Sequence, residues 1–101
     1  MPIRIDCPLE GFQDLWVEFR DSNWSFGDRR RVTDGMSDSI ALDTILKYVV
    51  RWNVKDMSGN EVPLEKRTIE ELDAVDDAVA TWVIRAWFAA RNQRASAPKN
   101  S

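Results

Sequence analysis

The segment of residues 68–91, TIEELDAVDDAVATWVIRAWFAAR, constrains the fold more than any other part of the chain. Thr68 followed by Glu71 is a capping-box pattern, in which the hydroxyl and the carboxylate each satisfy a free backbone N–H of the first turn. Acidic residues crowd the start of the segment and arginines lie near its end, as the helix dipole favours. Apolar residues from Ile69 to Ala86 recur at helical spacing and form one broad stripe. The pattern therefore predicts a long amphipathic helix over residues 68–91.

Two alternating segments near the N-terminus predict strands. They span residues 3–5 and 15–20, and Pro8 and Gly11 between them mark a turn. We expect an antiparallel pair, and because a two-stranded ribbon is marginal alone, the helix of residues 68–91 should pack on one face. In the second strand, one face would carry Leu15, Val17 and Phe19, and the other Trp16, Glu18 and Arg20.

Two shorter helices are predicted in the middle of the chain. Ser25, with Asp28 three residues later, is typical of a residue that caps a first helical turn, and Gly35 is placed to end that helix. A second run shows helical periodicity over about residues 38–50. Its end, YVVRWNV, is rich in β-branched and aromatic residues and fits a strand equally well, so a short extended piece is expected at 51–55.

These elements predict an α+β fold. An N-terminal antiparallel strand pair would pack on two or three helices, one of them the long C-terminal amphipathic helix. Residues 58–60, Ser-Gly-Asn, predict a turn. A chain of 101 residues supports one domain, which we assign to residues 1–94. The polar tail of residues 95–101 is expected to be disordered.

The net charge and the single cysteine restrict which partners and which cellular compartment fit this chain. The chain has a net charge of −3, which argues against a general nucleic-acid binder, because such a protein needs a basic surface to displace counterions from phosphates. No segment reaches the ~20 apolar residues that cross a bilayer, and the N-terminus lacks a signal peptide's apolar run. We expect a soluble, cytoplasmic protein with no membrane partner. Cys7, the only cysteine, excludes an internal disulfide and fits a small buried or half-buried residue.

The residues offer little catalytic chemistry. The chain has no histidine, which is the commonest general base and metal ligand. One cysteine cannot make a zinc site of the usual kind, and the four glycines are scattered rather than gathered in a phosphate-binding loop. Asp73, Asp76 and Asp77 form the densest acidic group, and their place at a helix start already accounts for them. We therefore predict no enzyme, no small-molecule substrate, no cofactor and no metal site.

Aromatic residues and arginines are the candidates for contact with a partner. Each of the five tryptophans can bury roughly 200 Å² in a core or in an interface, and for each we favour the core. Aromatic residues beside the basic run at 28–31 have the composition of interface anchors. For the basic run itself we favour a solvated helix face, with Asp28 and Asp34 as local partners of its arginines. The predicted contact residues are Trp24, Phe26, Arg29, Arg30 and Trp87.

Four segments follow one another in a characteristic order along the chain. They are WVEFR at 16–20, WSFGDRRRV at 24–32, VVRWNVKDMSGNEVPL at 49–64 and WVIRAWFAAR at 82–91. This order resembles small proteins encoded in the tail modules of long-tailed bacteriophages and prophages, and it is similar to the tail assembly chaperones and related minor tail components. The likeness spans residues 13–94.

The resemblance implies a non-enzymatic assembly role. A tail assembly chaperone would bind the tape-measure protein, or another tail subunit, and keep it soluble in the cytoplasm of the bacterial host until the tail tube forms. One alternative is a structural virion subunit, such as a head–tail connector or minor tail component, which would remain in the particle and could form homo-oligomers. A further alternative is a small nucleic-acid-binding regulator that uses Arg29 to Arg31.

Overall fold

The structure of the protein is a computed structural model that describes residues 1–35, 37–66 and 68–96. Within these residues it has three strands, three α-helices and short 3₁₀ turns, so the α+β class is confirmed. In chain order, the strands and helices are β1 (Ile3–Asp6), β2 (Trp16–Phe19), α1 (Phe26–Asp34), α2 (Asp38–Ile45), β3 (Val49–Trp52) and α3 (Asp77–Ser96). The 3₁₀ turns span Leu46–Tyr48, Leu64–Lys66 and Ile69–Ala74.

The sheet has the order β1-β2-β3 and is antiparallel throughout. The predicted N-terminal pair is confirmed, with Ile3 opposite Phe19. The third strand pairs with the other side of β2 and places Trp52 opposite Val17. The helix predicted over residues 38–50 is therefore too long. It ends at Ile45, because the β-branched and aromatic residues that follow pair with β2 instead.

The predicted long C-terminal helix is confirmed as α3, but its predicted start at residue 68 is wrong, because the chain breaks at Val75. A 3₁₀ helix covers Ile69–Ala74, Val75 is extended, and the α-helix begins only at Asp77. The carbonyl of Ala74 accepts a hydrogen bond from the backbone N–H of Met57 at 2.8 Å, so a distant loop occupies a group that a continuous helix would use internally.

The break at Val75 also changes which residue caps the long helix. Thr68 makes no side-chain capping bond, so the predicted capping box does not form. Asp76 caps α3 instead: its Oδ1 accepts from the N–H of Ala78 at 2.9 Å. The predicted cap of α1 is confirmed, since Ser25 Oγ accepts from Asp28 N at 3.0 Å. Helix α2 is capped by Ser37, whose Oγ accepts from Ile40 N at 3.3 Å.

The core lies between one face of the sheet and the helices. The two faces of β2 are as predicted, with Val17 and Phe19 fully buried on the inner face. Helix α3 packs on β1 and β2, and α2 packs between α1 and α3. Cys7 is buried at 3% exposure, as predicted. The other fully buried side chains include Ile45, Tyr48, Val49, Val54, Val79, Val83, Trp87 and Ala90.

The predicted turn at residues 58–60 is confirmed by Gly59, whose φ of 87° lies in the left-handed region that favours glycine. At the C-terminus, residues 95 and 96 continue α3. The rest of the predicted tail, residues 97–101, lies outside the described residues. Within the described ranges, no helix has the length and apolar character needed to cross a membrane.

Candidate interaction surface

The predicted contact residue Trp24 belongs to an aromatic cluster rather than to an open surface. Its ring stacks on Trp87 with a centroid distance of 5.1 Å and an angle of 22°, and it lies 4.8 Å from the ring of Tyr48. The indole Nε1 donates to the carbonyl of Arg20 at 2.7 Å, and the guanidinium of Arg94 lies 5.1 Å from the ring centroid. Trp24 therefore fastens the segment before α1 to α3.

Trp87 lies in the centre of the same cluster and is 1% exposed. It contacts Tyr48 and Phe88 edge-on in addition to the stack with Trp24. A side chain buried this deeply presents no area to a partner, so we leave Trp87 out of the contact set. The core interpretation also holds for Trp52 and Trp82, which are 5% and 4% exposed.

Phe26 is the predicted contact residue that the structure exposes most. It is the first residue of α1, and 64% of it is accessible to solvent. The guanidinium of Arg29, one turn later, lies over its ring at 4.9 Å from the centroid. Among the described residues, Arg29 makes no ion pair with a carboxylate. An aromatic ring and an uncompensated arginine thus lie together at the start of α1.

The remaining arginines of α1 are paired within the helix. Arg30 lies 3.9 Å from Asp34 and Arg31 lies 3.6 Å from Asp28, and both arginine side chains are more than 60% exposed. Exposed pairs of this kind contribute little to stability, so their charge stays available to a partner. A shallow depression of about 480 Å³ follows them to the α1–α2 corner, where Ile40 is 47% exposed. We call Phe26, Arg29, Arg30 and Ile40 the α1 surface.

A partly buried hydrogen-bond network holds α1 against the core. The hydroxyl of Tyr48, which is fully buried, donates to Oδ2 of Asp28 at 2.6 Å and accepts from the N–H of Ser25 at 3.2 Å. The bond from Tyr48 lowers the pKa of the Asp28 carboxyl, and a second bond within the Ser25 cap acts in the same direction. The first turn of α1, which carries Phe26, is therefore fixed in position.

A second surface feature is an apolar groove of about 360 Å³ between β1 and α3. The groove is not predictable from local sequence patterns, because its walls come from opposite ends of the chain. Exposed Asp6 and Asp77 stand on its two walls. We call it the β1–α3 groove, and it is lined by Ile5, Asp6, Pro8, Leu9, Asp77, Ala78, Thr81, Trp82, Arg85, Ala86 and Ala89.

The outer face of the sheet carries Trp16, which is partly exposed between two arginines. The guanidinium of Arg4 lies 4.7 Å from its ring centroid and that of Arg51 lies 5.7 Å away. Arg4 also pairs with Asp6 at 2.9 Å, and Arg51 pairs with Glu18 at 3.1 Å. The charges on this face are therefore matched by neighbours on the same sheet.

Within the ranges that the structure describes, no group of three or more histidine, cysteine or acidic side chains is close enough to hold a metal ion. Comparison with known proteins finds no protein-family model, no curated protein and no solved structure that matches this chain.

The five predicted contact residues thus separate into two groups. Phe26, Arg29 and Arg30 lie on the α1 surface, whereas Trp24 and Trp87 stack on each other in the aromatic cluster. Local sequence could have separated the two groups. Phe26 and Arg29 lie one turn apart on a predicted helix, and neither is at its buried position, Val32.

Proposed function

We propose that this protein is a non-enzymatic assembly factor that binds a protein partner through the α1 surface. The observation that carries the proposal is the exposed Phe26 ring with the guanidinium of Arg29 over it, which has no carboxylate partner among the residues that the structure describes. Aromatic residues and arginines dominate the energetic centres of protein interfaces. A free protein gains little from exposing an aromatic ring to this degree, whereas an interface gains from covering it.

The charge of the α1 surface sets the partner's chemistry. A partner would bring an apolar side chain to Phe26 and carboxylates to Arg29 and Arg30. The likeness to tail assembly chaperones supplies a candidate, the tape-measure protein encoded in the same tail module. Binding would keep that partner soluble during assembly of the tail.

The rigidity of α1 supports the same proposal. The bonds from Tyr48 and the Ser25 cap fix the first turn before any partner arrives. A surface that is already ordered loses less conformational entropy on binding than a mobile loop does. The α1 surface is thus pre-organised for binding.

The proposal is tested with the tape-measure protein as the probe, by co-purification and titration calorimetry. Phe26→Ala should weaken binding by about tenfold or more, and the double variant Arg29→Glu/Arg30→Glu should do the same. Because these side chains are outside the core, the melting temperature should change little. Met57→Ala, at a residue that is 71% exposed but outside the α1 surface, is the matched control. Unchanged affinity in both test variants would contradict the proposal.

Nucleic-acid binding through the same arginines is less well supported. The chain as a whole carries a net charge of −3, whereas electrostatic binding to phosphates needs a basic surface. Electrostatic binding to DNA is strongest at low salt. We therefore expect no retention on a DNA column at low ionic strength.

A further inference from the structure

The β1–α3 groove has a complementary surface elsewhere on the same molecule. We propose that it receives the α1 surface of a second copy of this chain, with Phe26 entering the groove. The inference rests on the proposed function, since it takes the α1 surface to be a protein-binding surface, and it names a second copy as a partner for that surface.

The groove has the size and lining to accept an aromatic ring. Its volume of about 360 Å³ lies in the range of pockets that bury a ligand side chain or small molecule. Small side chains on α3 leave the space open, and Trp82, which is 4% exposed, contributes to the lining. Ile5 and Leu9 line the groove from the strand side and are half-buried. The lining is therefore apolar where a phenylalanine would enter.

One end of the groove and the α1 surface carry charges of opposite sign. At that end of the groove Asp77 is exposed, and residues 70–76 just before α3 contain four further acids. Asp6 adds no free charge, because its carboxylate pairs with Arg4 at 2.9 Å. On the α1 surface, Arg29 and Arg30 lie within about one helical turn of Phe26. Arg85 is the basic residue among those that line the groove. It lies eight residues, or about 12 Å, along α3 from Asp77, so it leaves the acidic end of the groove free.

The two surfaces do not overlap. The groove is formed by β1, the loop after it and α3, and none of its lining residues belongs to α1. A contact between them joins different surfaces of the two copies. Two such contacts can pair reciprocally in a closed two-fold dimer, or they repeat head-to-tail and form a ring or a filament according to the rotation between neighbours.

The experiment measures the mass of the full chain by light scattering from about 5 μM to 1 mM, with fold and stability checked by circular dichroism. Thr81→Arg places a long cationic side chain in the groove, and Ala78→Arg repeats the change at an exposed position of the same wall. Asn92→Arg adds the same charge to an exposed site of α3 outside the groove and is the matched control. We expect the natural chain and Asn92→Arg to rise above the monomer mass of 11.7 kDa. Phe26→Ala and both groove variants should remain monomeric.

Mixing the variants gives the sharpest result. Phe26→Ala retains an intact groove and Thr81→Arg retains an intact Phe26, so their equimolar mixture should form a 1:1 dimer that grows no further. A natural chain that stays monomeric throughout, groove variants that assemble normally, or a mixture that stays monomeric would each overturn the inference.

The same variants separate this inference from the proposed function. Thr81→Arg should still bind the tape-measure protein, because its α1 surface is unchanged. If the natural chain binds the tape-measure protein yet never self-associates, the inference of self-association is wrong and the proposed function stands. If Phe26→Ala loses self-association but keeps the tape-measure protein, the proposed function fails and the groove contact stands.

Discussion

Replacing Tyr48 by phenylalanine tests how α1 is held against the core. The substitution keeps the buried ring and removes the hydroxyl that bridges Asp28 and Ser25 at 2.6 and 3.2 Å. A hydrogen bond to a charged group contributes about 1.5–3 kcal/mol. Because the Asp28 side chain is 18% exposed, water replaces part of the lost bond, and the lower end of that range applies. We expect a loss of about 1.5–2 kcal/mol, or about 6–16 °C in melting temperature.

The loss should depend on pH in a direction set by the pKa of Asp28. The bond from Tyr48 lowers that pKa in the folded protein, so the carboxylate contributes stability that is present above its unfolded pKa of about 3.9 and is lost as the pH falls through the folded value. Removing the hydroxyl removes that contribution. The gap between the natural chain and Tyr48→Phe should therefore be largest near neutral pH and narrow below about pH 4.

Urea denaturation followed by far-ultraviolet circular dichroism, repeated from pH 7 to pH 3, measures both effects. The control is a double-mutant cycle with Asp28→Ala, in which Tyr48→Phe should cost clearly less than in the natural chain because its acceptor is already gone. A loss under about 0.5 kcal/mol at pH 7, a gap that does not change with pH, or full additivity in the cycle would refute the reasoning.

Three further predictions concern stability and are checked by thermal denaturation. Gly35→Ala should lower the free energy of unfolding by about 1–3 kcal/mol, because its new Cβ would collide with the backbone carbonyl oxygen of Arg31; a neutral effect would show that the α1–α2 corner yields easily. Trp24→Ala should cost about 2–4 kcal/mol, since its ring is stacked in the aromatic cluster, and an unchanged melting temperature would return this residue to the contact set. Asp76→Ala should cost about 1 kcal/mol and Thr68→Ala much less, because only the first caps α3; the reverse order would support a continuous helix.

Local patterns in the sequence predict much of the secondary structure and its caps. Alternation along β2 places Val17 and Phe19 on one face, and Ser25 caps α1 through a bond to a residue three positions away. Gly59 takes the left-handed turn that its neighbours indicate. These features depend on residues within one or two turns of each other, so the pattern along the chain contains the physical cause.

The surface part of the candidate site is predictable for the same reason. Phe26 and Arg29 lie one turn apart on one short helix, and their contact needs no other element. The exposure of Phe26 follows from the polar character of α1, in which Val32 is the buried residue. The sequence by itself thus determined which side chains meet at the start of α1.

Only the tertiary structure decided which aromatic rings are buried and where the long helix breaks. Trp87 lies on an apolar helix face that fits a core or an interface equally, until Trp24 and Tyr48 close over it. The break at Val75 depends on a hydrogen bond that the carbonyl of Ala74 accepts from the N–H of Met57, and Met57 lies 18 positions before Val75. The β1–α3 groove likewise needs both ends of the chain. A sequence pattern specifies which face of an element is apolar, but the packing of distant elements decides whether that face is covered.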